Sequence, residues 1–240
     1  LVDPAHAAVA AALRAVDLRR ASGAGGVDVL VTLALVRENR PQRKALTACA
    51  EAVRAAAPRV AGVAASWVPK RAVQLLSGET EVVVGVSELP DQQGDVSVQA
   101  TYGSFVQPHR QQAAGIAAAL VAGARDASPK RPARVLELYS GSAPFGLALA
   151  RAGHDVVAVE AYAPAADAAR RAAEAQGVKL QAIAEDAEHA SVRLAEAGAR
   201  FEVVVVDPPR RGLSPATRAA LARLAPLRLA YVSCDPDTLA

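Results

Sequence analysis

Cysteine is nearly absent from this chain of 240 residues, with Cys49 and Cys234 its only two. That excludes a disulfide framework, a four-cysteine cluster and a cysteine zinc site, and a reducing compartment suits such a chain best. Lysine is almost as scarce: Lys44, Lys70, Lys130 and Lys179 are all there are, so the positive charge is carried by arginine. Together with the abundant alanine, this reads as the imprint of a GC-rich genome rather than of function. Long apolar runs are also missing. The stretch from Ala5 to Ala12 is far shorter than a membrane span and follows Asp3 rather than a basic run, so it makes neither a signal nor an anchor. A soluble, cytoplasmic monomer without a membrane partner, a metal or a metal cluster is expected.

What is present fits a folded chain. Hydrophobic residues make up 52% and charged residues 21%, too apolar and too weakly charged for disorder. With 27 Lys and Arg against 24 Asp and Glu, the net charge of +3 permits a polyanionic partner without requiring one. Length favours two modest domains over one large one. In the first half, Leu13 to Arg20 and Val27 to Val36 flank Ala24-Gly25-Gly26 and read as a hairpin. Pro4 opens a short alanine-rich helix, Gln42 to Ala56 forms a helix between Pro41 and Pro58, and Val60 to Trp67 returns as a strand. Val82-Val83-Val84 and Val96 to Ala100 add strands, separated by the turn residues Pro90, Asp91 and Gly94.

A helix from about Pro108 to Ala124 runs into the polar break Asp126-Ala127-Ser128-Pro129-Lys130. The expected division is a smaller α+β domain over residues 1–115 and a second domain over 116–240. In the latter, strands (Arg134 to Tyr139, Asp155 to Glu160, Leu180 to Ala184, Phe201 to Val206, Arg228 to Ser233) alternate with helices (Pro144 to Ala152, Ala163 to Gln176, Ala190 to Gly198, Pro215 to Leu224). Such alternation predicts an α/β fold, a doubly wound, mostly parallel sheet that binds ligands at the carboxyl ends of its strands.

The residues at those strand ends carry chemistry. Glu137-Leu138-Tyr139-Ser140-Gly141-Ser142-Ala143-Pro144-Phe145 joins a strand to a helix through a turn of small residues, and Glu160 ends the next strand. A carboxylate there can accept both hydroxyl protons of a ribose, while the glycine lets the backbone approach a cofactor. An ordinary βα turn with a solvated glutamate has the same pattern. Asp186, after the third strand, could reach an adenine amino group or be a solvated loop acid. The apolar run Phe201 to Val206 empties into Asp207-Pro208-Pro209-Arg210-Arg211-Gly212-Leu213, whose two prolines stiffen the loop that presents Asp207. Cys49, inside a helix, reads as a small core hydrophobe. Cys234 stands where the last strand opens into a proline-containing loop, a useful place for a nucleophile.

These motifs resemble the S-adenosylmethionine-dependent RNA 5-methyluridine methyltransferases, which act on uracil C5 in ribosomal or transfer RNA. The likeness rests on Leu138-Tyr139-x-Gly141 with Phe145, Val159-Glu160, Asp186-Ala187-Glu188, Asp207-Pro208-Pro209-Arg210-x-Gly212-Leu213, and Tyr231-Val232-Ser233-Cys234-x-Pro236-x-Thr238-Leu239-Ala240. Phe105-Val106-Gln107 matches a further element loosely. The resemblance implies a class I methyltransferase fold, incomplete at its carboxyl end. It implies S-adenosylmethionine as cofactor, held by Gln107, Tyr139, Gly141, Phe145, Glu160, Asp186 and Asp207. Catalysis would fall to Cys234 with Asp207, Gln107 and Arg210, and RNA would be the partner. First-domain arginines such as Arg14, Arg19, Arg20, Arg43 and Arg71 are expected to include phosphate contacts, although a solvated charged face is the commoner fate of surface arginine. The chain departs from the family at Ser140, Ala143, His109, Asp235, Ala172 and Gln176. The family's general-base glutamate follows the Ser-Cys motif and has no match in these 240 residues, which suggests a truncated chain.

Rival chemistries fit less of the sequence. Adenine-N6 methyltransferases resemble Asp-Pro-Pro followed by an aromatic residue, where Arg210 stands; cytosine-C5 enzymes place a cysteine after a related proline motif. A nicotinamide-dependent reductase leaves Cys234 and the Asp207 loop unexplained. A non-catalytic RNA-binding remnant of a methyltransferase is the alternative from another class.

Overall fold

The structure, a computed structural model, describes residues 6–23, 25–72, 78–103, 107 and 109–233. It divides into two compact units, Leu1–Asp91 with Ala100–Gly103, and Gln92–Gln99 with Ser104–Ala240. The expected boundary at 115/116 lies inside a helix. Pro4 and Ala24 fall outside the described residues. No helix among the described residues is long and apolar enough to cross a membrane.

The first unit is built on a mixed sheet. After a short helix, α1 (Ala7–Ala12), strands β1 (Leu13–Gly23) and β2 (Gly26–Val36) form the antiparallel hairpin expected around Gly25-Gly26. Strand β3 (Val60–Val68) lies parallel to β2, so a crossover must join them, and α2 (Arg43–Ala56) is that crossover. Strand β4 (Glu79–Gly85) completes the order β1-β2-β3-β4. Leu46, Cys49, Ala50 and Val53 recur at helical spacing on α2 and pack onto Val31, Leu33, Leu35, Val63, Ala65 and Trp67. Cys49 belongs to this core, and burial pushes its thiol up, away from the reactive thiolate.

Pro90 and Asp91 are not turn residues. They lie within strand β5 (Glu88–Gln93), which pairs with β6 (Val96–Thr101), and only Gly94 of the three sits in the turn, at a φ of 60°. A two-stranded ribbon tolerates the proline because one side of each strand has no ladder to supply with donors. Asp91 is 1% exposed, and its Oδ1 accepts the Ser22 N–H at 2.8 Å.

The second unit contains the expected parallel sheet. Helix α3 (Arg110–Ala127) leads into β7 (Arg134–Leu138), α4 (Pro144–Arg151), β8 (Asp155–Glu160), α5 (Ala163–Gln176), β9 (Leu180–Ala184), α6 (Ala187–Glu196), β10 (Val203–Val206), α7 (Pro215–Leu224) and β11 (Arg228–Tyr231). The strand order is β11-β10-β7-β8-β9, all parallel. Strand β10 is buried throughout, as a strand covered on both faces must be. Six alanines of α5, from Ala165 to Ala173, are buried, so its backbone approaches the sheet closely. Two positions where the family carries asparagine serve packing here: Ala172 is buried against Val96 and Val98, and Gln176 pairs with the β6 backbone, accepting from Ser97 N at 3.2 Å and donating to Ser97 O at 2.8 Å.

His154 joins α4 to β8 and is 4% exposed. Its Nδ1 accepts the Ala133 N–H at 3.0 Å, which requires that nitrogen to be unprotonated. Burial, and then the charge of Arg125, hold its pKa below the ordinary 6.5, against the pull of Asp155. A base whose folded pKa is depressed stabilises the fold fully above its unfolded pKa and loses that contribution as pH falls below it. Thermal unfolding followed from pH 8 to pH 5 should therefore show a drop in Tm beginning near pH 6.5, and His154→Gln should flatten that part of the profile.

Candidate functional site

Strand β7 ends at Leu138, and the chain turns through residues 139–143 before α4 begins at Pro144. Tyr139, Gly141 and Ala143 take left-handed φ values of 62°, 57° and 54°. Only the glycine does so without strain. Three hydrogen bonds hold this turn: Ser140 N to Val159 O at 3.1 Å, Ala143 N to Ser140 O at 2.8 Å, and Gly141 N to Glu160 Oε2 at 2.8 Å. The other oxygen of Glu160, Oε1, accepts the Tyr162 N–H at 2.8 Å. Apart from its chain neighbours, no residue comes within 4 Å of the place a Gly141 Cβ would take, so this backbone faces open space.

Strands β7 and β10 are neighbours whose crossovers leave in opposite directions along the sheet, which opens a crevice at their carboxyl ends. Val206 pairs with Leu138, and Asp207 N reaches Leu138 O at 3.4 Å, bringing the Asp207 loop beside the turn. Asp207 Oδ2 accepts a hydrogen bond from Gln107 Nε2 at 3.0 Å, joining two expected site residues 100 positions apart. Burial pushes the Asp207 carboxyl above its ordinary value, and the Gln107 hydrogen bond partly restores it. Beyond the prolines, Gly212 N bonds Pro209 O at 2.8 Å and closes a turn, with Gly212 at a φ of 72°. Arg210 and Arg211 stand exposed on it.

Other expected site residues are placed differently. Asp186 caps α6, its Oδ1 accepting from Glu188 N at 2.9 Å and His189 N at 3.3 Å, which leaves Oδ2 for a ligand. Phe145 is buried among Leu120, Val135 and Leu149, where it lines a cavity of about 480 Å³ between α3 and α4. Cys234, Phe105 and Val106 lie outside the described residues. Among the expected RNA-contacting arginines, Arg14 donates to Lys70 O, Arg19 donates to Thr101 O at 2.7 Å, and Arg43 pairs with Glu81 at 2.9 Å, all within the first unit. Among the described residues, no group of three His, Cys, Asp or Glu could hold a metal ion.

The sequence reading assigned no role to Glu137. It is 1% exposed in β7, and its Oε2 has no hydrogen-bond partner. Burial first, then the charge of Asp207, then that of Glu160, push its carboxyl up to about 8, against a hydrogen bond from the Gly146 N–H. An ionisable residue inside the apolar run Val135-Leu136-Glu137-Leu138 was the available signal.

A doubly wound parallel sheet with an acid ending its second strand and a left-handed turn after its first defines the class I methyltransferase fold. Superposition on the tRNA (uracil-54, C5)-methyltransferase of Pyrococcus abyssi, crystallised with S-adenosyl-L-homocysteine, bears this out at a TM-score of 0.67 and 26% identity, covering 95% of this chain and 52% of that one. A family model for tRNA (uracil-5-)-methyltransferases matches residues 79–240, and the chain belongs to that family. The resemblance seen in the motifs therefore holds. An uncharacterised RNA methyltransferase of Lactobacillus johnsonii is 27% identical over 228 residues, 95% of this chain and 49% of its own length. Another, from Parasynechococcus marenigrum, is 33% identical over 181 residues, 75% of this chain and 38% of its own. The chain thus spans about half or less of these relatives.

Ala143, where the family has glycine, sets two effects against each other. Its left-handed backbone costs about 1 to 2 kcal/mol, whereas burial of its methyl beside Ala158 and Ala169 gains about 0.8 kcal/mol and its stiffer unfolded chain about 0.4 to 1 kcal/mol. These nearly cancel. Ala143→Gly should leave the unfolding free energy within about 1 kcal/mol of the parent, read from urea denaturation, and a larger change would show that the balance is misjudged.

Proposed function

We propose that this chain carries the cofactor-binding and catalytic machinery of an S-adenosylmethionine-dependent RNA uracil-C5 methyltransferase acting on ribosomal or transfer RNA. The hydrogen bond between Gln107 and Asp207 at the β7–β10 crevice is the observation that carries this reading. It unites two polar groups that the family motifs assign to one site. S-adenosylmethionine would supply an electrophilic methyl group.

The residues fit this cofactor. Each oxygen of Glu160 accepts one backbone N–H and keeps a second lone pair, so the carboxylate can accept both ribose hydroxyls while still holding the turn. The open face of Gly141 admits the ligand against the backbone. Asp186 Oδ2 would accept from the adenine amino group.

Uracil C5 is a poor nucleophile, so its methylation needs covalent help. In this proposal the Cys234 thiolate attacks C6, and the resulting enolate places electron density on C5, which takes the methyl group. The remaining oxygen of Asp207 accepts from uracil N3–H, while Gln107 and Arg210 donate to the developing charge on O4. Reaching the base requires extruding it from its RNA context, with phosphate contacts on the first unit.

Two measurements test the reading. Glu160→Ala should weaken calorimetric binding of S-adenosylhomocysteine by about 1 to 3 kcal/mol, the loss for charged hydrogen bonds left unmade, and unchanged affinity would sink the ribose assignment. With 5-fluorouridine RNA and S-adenosylmethionine, the chain should be trapped as a covalent complex, because fluorine at C5 blocks the proton removal that releases the enzyme. Cys234→Ala should abolish the adduct. A wild-type chain that binds both ligands without forming the adduct would favour a non-catalytic RNA-binding role.

A further inference from the structure

Glu137 takes no part in the chemistry above, yet it is buried in β7, between the strand that Glu160 ends and the strand that Asp207 follows. Glu137 sits in β7, two positions before the turn 139–143. Oε2 is buried and unpartnered. Opposite stands Gly146 in the first turn of α4, whose N–H bonds the carboxyl. A Cβ at Gly146 would collide with Oε2, so the glycine keeps room for the acid. The charges acting on Glu137 come from Asp207 beyond β10 and Glu160 at the end of β8; α4 contributes only a backbone dipole. Both charges are negative. A buried carboxyl between two carboxylates is most stable as the neutral acid.

The same two carboxylates line the crevice where the cofactor is proposed to sit. Because their field reaches Glu137, a positive charge seated against either must reach it with the opposite sign.

We propose that Glu137 is a proton-linked positioning residue that senses the ligand's sulfonium: neutral when the crevice is empty, it releases its proton when a sulfonium enters the crevice that Asp207 and Glu160 flank. This rests on the cofactor reading above. The O–H bond of the carboxyl breaks, the electron pair stays on Glu137, and the proton passes to solvent. The buried carboxylate then attracts the sulfonium. Once the methyl group has gone, the thioether that remains carries no such charge, and the proton returns. Glu137 thereby favours the sulfonium substrate over the thioether product, a discrimination that neither the ribose nor the adenine contacts can provide.

Isothermal titration calorimetry at pH 7.5, in buffers of different ionisation heat, reads the proton directly. An acid titrating near 8 is about three-quarters protonated at that pH, so S-adenosylmethionine should release about half a proton and S-adenosylhomocysteine far less. Affinity for S-adenosylmethionine should rise several-fold from pH 7 to pH 9. In Glu137→Gln, which mimics the neutral acid, both the release and the pH dependence should vanish, while S-adenosylhomocysteine binds within about twofold of wild type. Should that variant not fold, the infrared carbonyl band of the protonated carboxyl, measured on the wild-type chain, should still fall when S-adenosylmethionine is added. Binding without proton release, an unchanged infrared band, or a release that survives in Glu137→Gln and so belongs to another group such as Asp207, overturns the proposal and leaves the cofactor reading standing. If neither ligand binds, the cofactor reading itself fails and takes the proposal with it.

Discussion

The parallel pairing of β7 with β10 is the constraint on which the second unit depends. Val203 to Val206 lie in register with Val135 to Leu138, so the two strands end together. The chain leaves β7 towards β8 on one side, and β10 continues to β11 on the other. No helix can then cross the gap between them at their carboxyl ends, and a crevice follows from topology alone. The turn 139–143 forms one side of it and the Asp207 loop the other. A shift of register would part Asp207 N from Leu138 O and move the carboxylate away from the turn.

Burial at this junction sets the electrostatics. Glu137 lies within β7, Glu160 ends β8 and Asp207 follows β10, and low polarizability between the layers lets the charges of Glu160 and Asp207 act on Glu137. The surroundings of the three acids differ. Glu160 holds two backbone N–H groups, Asp207 has the Gln107 amide, and Glu137 has only the Gly146 N–H against full burial.

Alanine shapes the packing around this edge. Ala165 to Ala173 on α5 and Ala143 at the turn bring backbones close together, with less apolar volume than leucine or valine would supply. The small side chains leave room for polar groups to reach backbone atoms, as Gln176 does at Ser97 and Glu137 at Gly146.

The alternation of strands and helices after Arg134, the β1–β2 hairpin and helix α2 were legible in the sequence, since each is written in local periodicity and bounded by proline or glycine. So were the family motifs, because loops that do chemistry at strand ends keep short, contiguous residue patterns. Pro90 and Asp91 were misread for the reason that turn residues mark turns only on average: Asp91 lies in a strand paired with β6, and its side chain accepts the Ser22 N–H from far away in sequence. The contact between Gln107 and Asp207 could not be read from the chain, nor could the engagement of Arg19 by Thr101 or the burial of Phe145 under α3. Glu137 was visible as an acid in an apolar strand, but its proton depends on carboxylates arriving from two other strands. Local sequence determined the elements and the motifs at their ends. Which polar groups meet, and which of them stay charged, was decided only when the sheet assembled, because desolvation and Coulomb energies depend on distances through space rather than along the chain.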